Sequence, residues 1–416
     1  MTRSQITGAN RHLVALLSLF TASVCACDAA RDDSAHSSES RARQASEAAC
    51  SPSAPDLAEA FQRIDSVIAR GVEAEEIPGL AAGIVCADTL IWAAGYGVLA
   101  LDDPTPVTSQ TLFRIASVTK LFTATGIMAL EESGALALDD PVRDHLRWFE
   151  IGRPPGTGGA PVTIRQLLTH SAGMPRDSRL TDFSHMYQPN RHEAIAALPN
   201  QQLQATPGES YAYSNLGYAI LGEVIAAAAG TTYAGYLERA VLEPLGMTRT
   251  LVHPTPDDTV AWGHGPRRPD GPRARAGFWE LRFATPAGGM ASSVAELSEF
   301  MILQLAPYVG AQPAILSPEA IREMHRVHFM VDSTRGGSGL GWAVEISNGQ
   351  HVIYHGGELP EQTAFLLLDL KGAIGVVVLS NAQDVDANGL AQEALRIVRG
   401  VVLGPGSSLP AQAIPP

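Results

Sequence analysis

Lysine is almost absent from this chain: of 29 basic residues, only Lys120 and Lys371 are lysines. A guanidinium stays protonated in proteins, whereas a buried ammonium can release its proton. A position that keeps lysine in such a composition is therefore a candidate for proton transfer. Positive charge is short overall, with a formal net charge of -14. That balance disfavours nucleic acid or an anionic membrane surface as a partner, since both reward basic patches. Metal-ligand patterns are missing too. His170, His185, His192, His264, His325, His328 and His351 form no cluster with Cys, Asp or Glu at ligand spacing, and His325 with His328 read as a solvated helix face. No glycine-rich segment follows a strand in a dinucleotide or P-loop pattern, so no cofactor and no metal are expected.

Long apolar runs are equally scarce. The run 13–24 is too short to span a bilayer comfortably, and it follows Arg3 and Arg11, as in a secretory signal peptide. It ends in Val24-Cys25-Ala26-Cys27, which is similar to a bacterial lipoprotein box with Cys27 as the lipidated residue. Cleavage near Ala29 or Ala30 is the alternative, giving a soluble secreted protein. The expected location is the periplasm or cell envelope, with a lipid anchor as the only membrane contact. Residues 28–54 are rich in Ser, Ala, Asp and Arg without apolar periodicity and read as a disordered tether. Cysteine numbers four, of which Cys50 and Cys86 follow this leader in an oxidising compartment. They could pair, or remain as two inert thiols.

What is present is an ordinary globular composition, 45% hydrophobic and 17% charged, in 416 residues. That length can bury one large core or two modest ones. Leu57, Phe61, Ile64 and Ile68 recur at helical spacing and predict an amphipathic helix over 55–71. β-rich stretches at 79–86 and 90–98, linked by Ala87-Asp88, predict a hairpin. From about 101 to 290 the pattern is helical, at 117–133, 163–169, 214–229 and 232–243, with loops at 152–161 and 266–272. Short strands return at 339–346, 351–355, 363–370 and 373–380, the last two joined by a turn at Lys371-Gly372. A helix over 386–400 and a flexible tail over 401–416 close the chain. The expected fold is α/β of the α+β type. One antiparallel sheet is built from 55–100 and 339–400, flanked by the N- and C-terminal helices, with an all-helical domain inserted.

Three segments carry chemistry. In Ser117-Val118-Thr119-Lys120 a serine opens an apolar helix with lysine one turn later on the same side. Serine is a weak nucleophile until a neighbouring base takes its proton, and a helix N-terminus favours developing negative charge. An N-cap serine followed by an exposed lysine is the bland reading. In Tyr213-Ser214-Asn215, again at a helix start, a tyrosine near lysine can shuttle protons and an asparagine can hold an amide. A buried tyrosine with a capping Asn215 is the plain alternative. His355-Gly356-Gly357 ends a predicted strand, where glycines let a substrate lie against the backbone.

In this order the three segments resemble the serine penicillin-recognising family, which holds class C β-lactamases, D-alanyl-D-alanine carboxypeptidases and related esterases and amidases. The resemblance spans about 55–400. It is supported by Phe113-Arg114-Ile115-Ala116, Leu167-Leu168-Thr169-His170-Ser171-Ala172-Gly173, Pro244-Leu245-Gly246-Met247 with Thr250, and Pro286-Ala287-Gly288-Gly289-Met290. It implies a β-lactamase/transpeptidase-like fold in which Ser117 forms an acyl-enzyme. Lys120 and Tyr213 would move protons, Asn215 would hold the substrate amide, and the Ser117 and Glu358 N–H groups would form the oxyanion hole.

Two departures bear on substrate. Where many β-lactamases carry lysine in the third segment, this chain has His355, whose charge depends on its surroundings. Were it a cation, it would bind a substrate carboxylate more weakly as pH rises through neutrality. Where the family often shows a glycine and an aromatic, Glu361 and Gln362 predict an acidic, polar rim to the cleft. The expected activity is serine hydrolysis of an ester or amide, in a small molecule or peptide. β-Lactamase and D-alanyl carboxypeptidase are alternatives, and a non-catalytic binder of cell-wall fragments is the alternative outside enzymes.

Overall fold

The computed structural model describes Cys50 and residues 55–155, 159–176, 180–182, 188–332, 336–347 and 350–404. The signal-peptide and lipobox reading with Cys27, the tether apart from Cys50, and the tail beyond 404 lie outside the described residues. Helix α1 (Pro55–Ala74) presents Leu57, Ile64 and Ile68 to the interior, all fully buried, as their spacing requires. The hairpin follows as β1 (Gly79–Cys86) and β2 (Thr89–Ala100), and β3 (Asp103–Pro106) extends it.

Strand β4 (Phe113–Arg114) leads through a 3-10 turn, Ala116–Val118, into α2 (Thr119–Glu132). Helix α3 (Asn215–Ala229) is buried on nearly every side, as its almost continuous apolar sequence demands. Strand β5 (Ala291–Ser292) pairs with β4, so the inserted region is not all-helical as expected. Helix α4 (Val294–Leu305) then packs beneath β1.

The sheet resumes earlier than the sequence suggested. Strands β6 (Phe329–Asp332) and β7 (Gly336–Ser338) precede β8 (Ala343–Ser347), β9 (Gln350–Leu359), β10 (Gln362–Asp369) and β11 (Ile374–Ser380). Glycines in β7 and an exposed β6 hide the apolar alternation that marks a strand. The nine-stranded antiparallel sheet has the order β3-β2-β1-β11-β10-β9-β8-β7-β6. Strand β1 from the N-terminal part thus lies between β2 and C-terminal β11, with Ala81 opposite Leu379.

Helix α5 (Ala387–Val402) runs two residues past its expected end and packs on α1. Period-two alternation sends Leu80, Ala82 and Ile84 to the α1–α5 side, while Ala81 and Val85 face the helical region. Two further expectations are revised. The single helix 232–243 is a helix, Tyr233–Leu237, followed by a π-helical turn, Glu238–Leu242. His325 is fully buried and paired with Tyr308 and Gln304, and the His328 side chain is also buried, so neither lies on a solvated face. Cys50 and Cys86 are disulfide-bonded with Cα atoms 5.6 Å apart. Lys371 sits exposed in the β10–β11 turn, its N–H donating to Asp369. Among the described residues, no helix is long and apolar enough to cross a membrane.

Candidate active site

Ser117 lies in the 3-10 turn that joins β4 to α2, one turn ahead of Lys120. Ala116 just before it has φ +46°. For a residue with a Cβ, that left-handed conformation costs ~1–2 kcal/mol. Such strain persists only where the surroundings enforce it. They do here: the Ile115 N–H donates to Met290 O, and Ala116 packs in a small apolar cluster with Trp279, Leu281 and Leu359.

Lys120 is fully buried, yet its ammonium is well provided with acceptors. Nζ donates to Ser117 Oγ at 3.0 Å, Asn215 Oδ1 at 2.9 Å and Ala287 O at 2.5 Å. An uncompensated buried charge would be costly; three acceptors for three N–H groups hold this one in place. Asn215 can make that contact because it is not the helix cap. Ser214 caps α3 by accepting the Gly217 N–H, and its own hydroxyl donates to Pro175 O at 2.7 Å. The third segment arrives on β9. A Cβ at Gly357 would stand 2.4 Å from Ile115 O and 3.1 Å from Ser117 N, so only glycine lets the strand pass this close to the serine turn. Gly356 and Glu358 flank it with exposed faces.

Tyr213 completes the group. Lys120 Nζ lies 4.9 Å from its ring centre, and the His355 ring is 6.2 Å away. Two neighbours went unnoticed in the sequence. His170, assessed there only as a metal ligand, lies against Tyr213 at 4.3 Å between ring centres and has φ +55°. Its Nδ1 accepts the Ser214 N–H at 3.0 Å, so the neutral ring carries its proton on Nε2. Burial, then the Lys120 charge, holds His170 well below the usual histidine range. Arg176, exposed, has its guanidinium carbon 5.2 Å from the Tyr213 ring centre. The earlier signal for His170 was its place in Leu167–Gly173, a stretch noted for resemblance alone.

The charge of His355, which the sequence left to its surroundings, is disfavoured in them. It is 7% exposed, and burial followed by the Lys120 charge pushes it down to about 3. Nδ1 meets Gly356 O at 2.7 Å, which makes Nδ1 the donor and leaves Nε2 an acceptor in the neutral ring. Glu361 and Gln362 do not form a rim either. Both are buried, at 3% and 2% exposure, behind the serine turn. Gln362 accepts the Arg114 N–H and donates to Ala261 O, while Arg114 Nη1 donates to Trp279 O. Burial pushes the Glu361 carboxyl up to about 8 despite nearby Arg114. Among the described residues, no group of His, Cys, Asp or Glu side chains is placed to share a metal ion.

Protein flp of Staphylococcus aureus (strain COL) is 28% identical over 330 residues, which are 77% of this chain and 63% of that protein. The chain thus spans less than two thirds of that relative's length. The octameric penicillin-binding protein homologue from Pyrococcus abyssi is 29% identical with a TM-score of 0.73, covering 84% of this chain and 79% of that one. EstCE1, a hydrolase with promiscuous acyltransferase activity, shares the fold at 23% identity and a TM-score of 0.68, covering 84% and 99%. Residues 64–399 match the Beta-lactamase family, the same span that supplies the sheet, the serine turn and the β9 edge: the chain belongs to the beta-lactamase family.

Proposed function

We propose that the chain is a serine hydrolase that cleaves an ester or amide through an acyl-enzyme on Ser117. The observation that carries this reading is the buried Lys120 ammonium, held at once by Ser117 Oγ and Asn215 Oδ1. The Ser117 contact can also run the other way. Once Lys120 is a neutral amine, the serine hydroxyl donates to Nζ, and the proton leaves along that bond as Oγ attacks the carbonyl carbon.

Each step balances without an added group. The carbonyl oxygen gains the negative charge, and the N–H groups of Ser117 and Glu358 would receive it where Gly357 brings β9 against the serine turn. Collapse expels the alcohol or amine, which takes the proton back through Lys120 or Tyr213. Water then repeats the sequence on the ester of Ser117, releasing the acid. Asn215 would orient the acyl group, and neutral His170, with its ring 4.3 Å from that of Tyr213, would fix the tyrosine ring.

The neutral state of His355 favours a general ester or amide substrate over a drug whose carboxylate needs a fixed charge on β9. The β-lactamase and D-alanyl carboxypeptidase readings are therefore second. Turnover of a 4-nitrophenyl ester should fall at least ~1,000-fold in Ser117→Ala. Undiminished turnover there removes the reading. Penicillin followed in parallel by intact mass sorts the alternatives. A lasting Ser117 adduct favours a peptidase-like enzyme, rapid drug loss without adduct a β-lactamase, and neither outcome the esterase or amidase.

A further inference from the structure

Arg114 and Glu361 both line a cavity to which Ser117, Lys120, Tyr213 and Asn215 contribute nothing. Arg114 belongs to β4 and Glu361 to the β9–β10 turn. Val260, Trp262 and Phe278, from the chain between α3 and β5, supply apolar walls. The space measures about 20 Å³, room for one water-sized group, and it opens to solvent. A Cβ at Gly263 would stand 2.2 Å from Glu361 Cγ, so glycine there is what makes room for the acid.

Two ionisable side chains, each 3% exposed, would ordinarily satisfy one another. Here no hydrogen bond joins them among the described residues. Arg114 Nη1 donates to Trp279 O at 3.0 Å and the guanidinium carbon lies 5.1 Å from the Phe278 ring centre, but Nε has no partner. Glu361 Oε2 has none either. Buried polar groups are nearly always paired, so two orphans on one cavity call for an occupant. Its charge follows from theirs. Burial lowers Arg114 only to about 10, so it stays a cation near neutral pH, while Glu361 at about 8 keeps its proton. The other acid on the cavity, Asp258, is engaged by the Thr255 N–H at 2.7 Å and hydroxyl at 2.9 Å. It is not among the charges that act on Arg114. A water molecule would answer the two hydrogen bonds but leave the buried charge unbalanced.

We propose that this cavity is a binding site for the carboxylate of a small organic acid, which accepts hydrogen bonds from Arg114 and from the Glu361 carboxyl. The body of the acid lies at the mouth, against Trp262 and Phe278. A carboxylate brings negative charge and acceptor oxygens together, and such charge-assisted bonds are the strong ones. The site is separate from the serine-hydrolase reading and does not rest on it. Because the ligand binds the native chain and bridges β4 to the β9–β10 turn, it stabilises the fold by mass action.

The test titrates sodium acetate into the whole chain by calorimetry at fixed ionic strength, with chloride as the competing probe. Acetate should bind at one site and raise the thermal midpoint, and chloride should displace it only at concentrations at least ~10-fold higher. Arg114→Met should weaken acetate at least ~10-fold, the worth of one charge-assisted contact. Glu361→Gln, whose amide can still donate, should bind acetate close to the wild-type affinity. Val260→Trp, which fills the cavity and leaves both polar side chains in place, should abolish binding, so the outcome does not hang on an Arg114 variant folding. A wild-type chain that binds no acetate holds water alone there, and the proposal falls. It falls equally if acetate binding persists in Arg114→Met or Val260→Trp, if it is lost in Glu361→Gln, or if chloride binds as tightly as acetate.

Discussion

At the scale of single residues, the sequence marked the four side chains that meet at the candidate site but not their charge states. Ser117, Lys120, Tyr213 and Asn215 converge because two segments, each beginning a helix, meet at buried Lys120. The charge on His355 was not legible, because it depends on desolvation and on Lys120, which is distant in sequence. The consequence has a definite sign. A histidine held at about 3 stays neutral in the native state, while the unfolded chain takes up a proton near the ordinary value of 6.5. The stability this contributes is complete above 6.5 and is lost as pH falls toward 3. In the folded chain, the His355 ring resonances, identified by their loss in His355→Gln, should stay those of a neutral ring from about pH 5 to 8. A titration centred near 6.5 would show that the ring is solvated and available as a cation.

Elements were more legible than side chains. Helices α1 and α5 lie close to their expected places because a helical period governs each, and strands β1, β10 and β11 because each is a short, nearly continuous apolar run. Strands β6 and β7 were missed because neither is such a run: β6 is exposed and β7 is mostly glycine. The turn between β9 and β10 was misread for another reason: Glu361 and Gln362 are polar, and polar residues in a turn suggest solvent. Here Gln362 instead ties that turn to β4, by accepting from Arg114 and donating to Ala261. Arg114 stands three residues before Ser117, and Glu361 three after Glu358, so the two strands facing the serine turn are braced together. Glu361 enters this brace as an acid, its carboxyl raised from an ordinary 4.5 to about 8 by burial. Between those values the unfolded chain has released the proton and the native chain retains it, so stability declines as pH rises. The total decline is on the order of a few kcal/mol. Comparing denaturant midpoints of wild type and Glu361→Gln from about pH 5 to 8 checks this. The difference between them should grow with pH, and parallel curves would place the proton elsewhere.

Among the described residues, the N-terminal and C-terminal elements of the fold are tied to each other. Helix α1 and strand β1 pack with α5 and β11, and buried Asp369 on β10 faces Arg399 of α5 at 2.9 Å. The Cys50–Cys86 disulfide adds a covalent tie across 36 residues that encloses α1. Sequence alone left this pairing open, since only the folded position of β1 brings the two cysteines together. Closing a loop of that length restricts the unfolded chain by about 4 kcal/mol. Reduction, or the Cys50→Ser, Cys86→Ser pair, should lower the unfolding free energy by up to that amount. Unchanged midpoints with two free thiols exposed would show that the tie contributes nothing.

The order of strands in the sheet also sets a timetable for synthesis. Ala81 pairs with Leu379, so β1 leaves the ribosome with one edge unpartnered until nearly the whole chain has been made. At ~5–20 residues per second, the wait is on the order of tens of seconds. Throughout it, an apolar strand edge stands open to any other chain nearby. A protein built this way cannot finish its central sheet from the N-terminus outward. Its last strand and helix are the closing pieces, and a chain cut short of them would expose the hydrophobic interior rather than lose a dispensable tail.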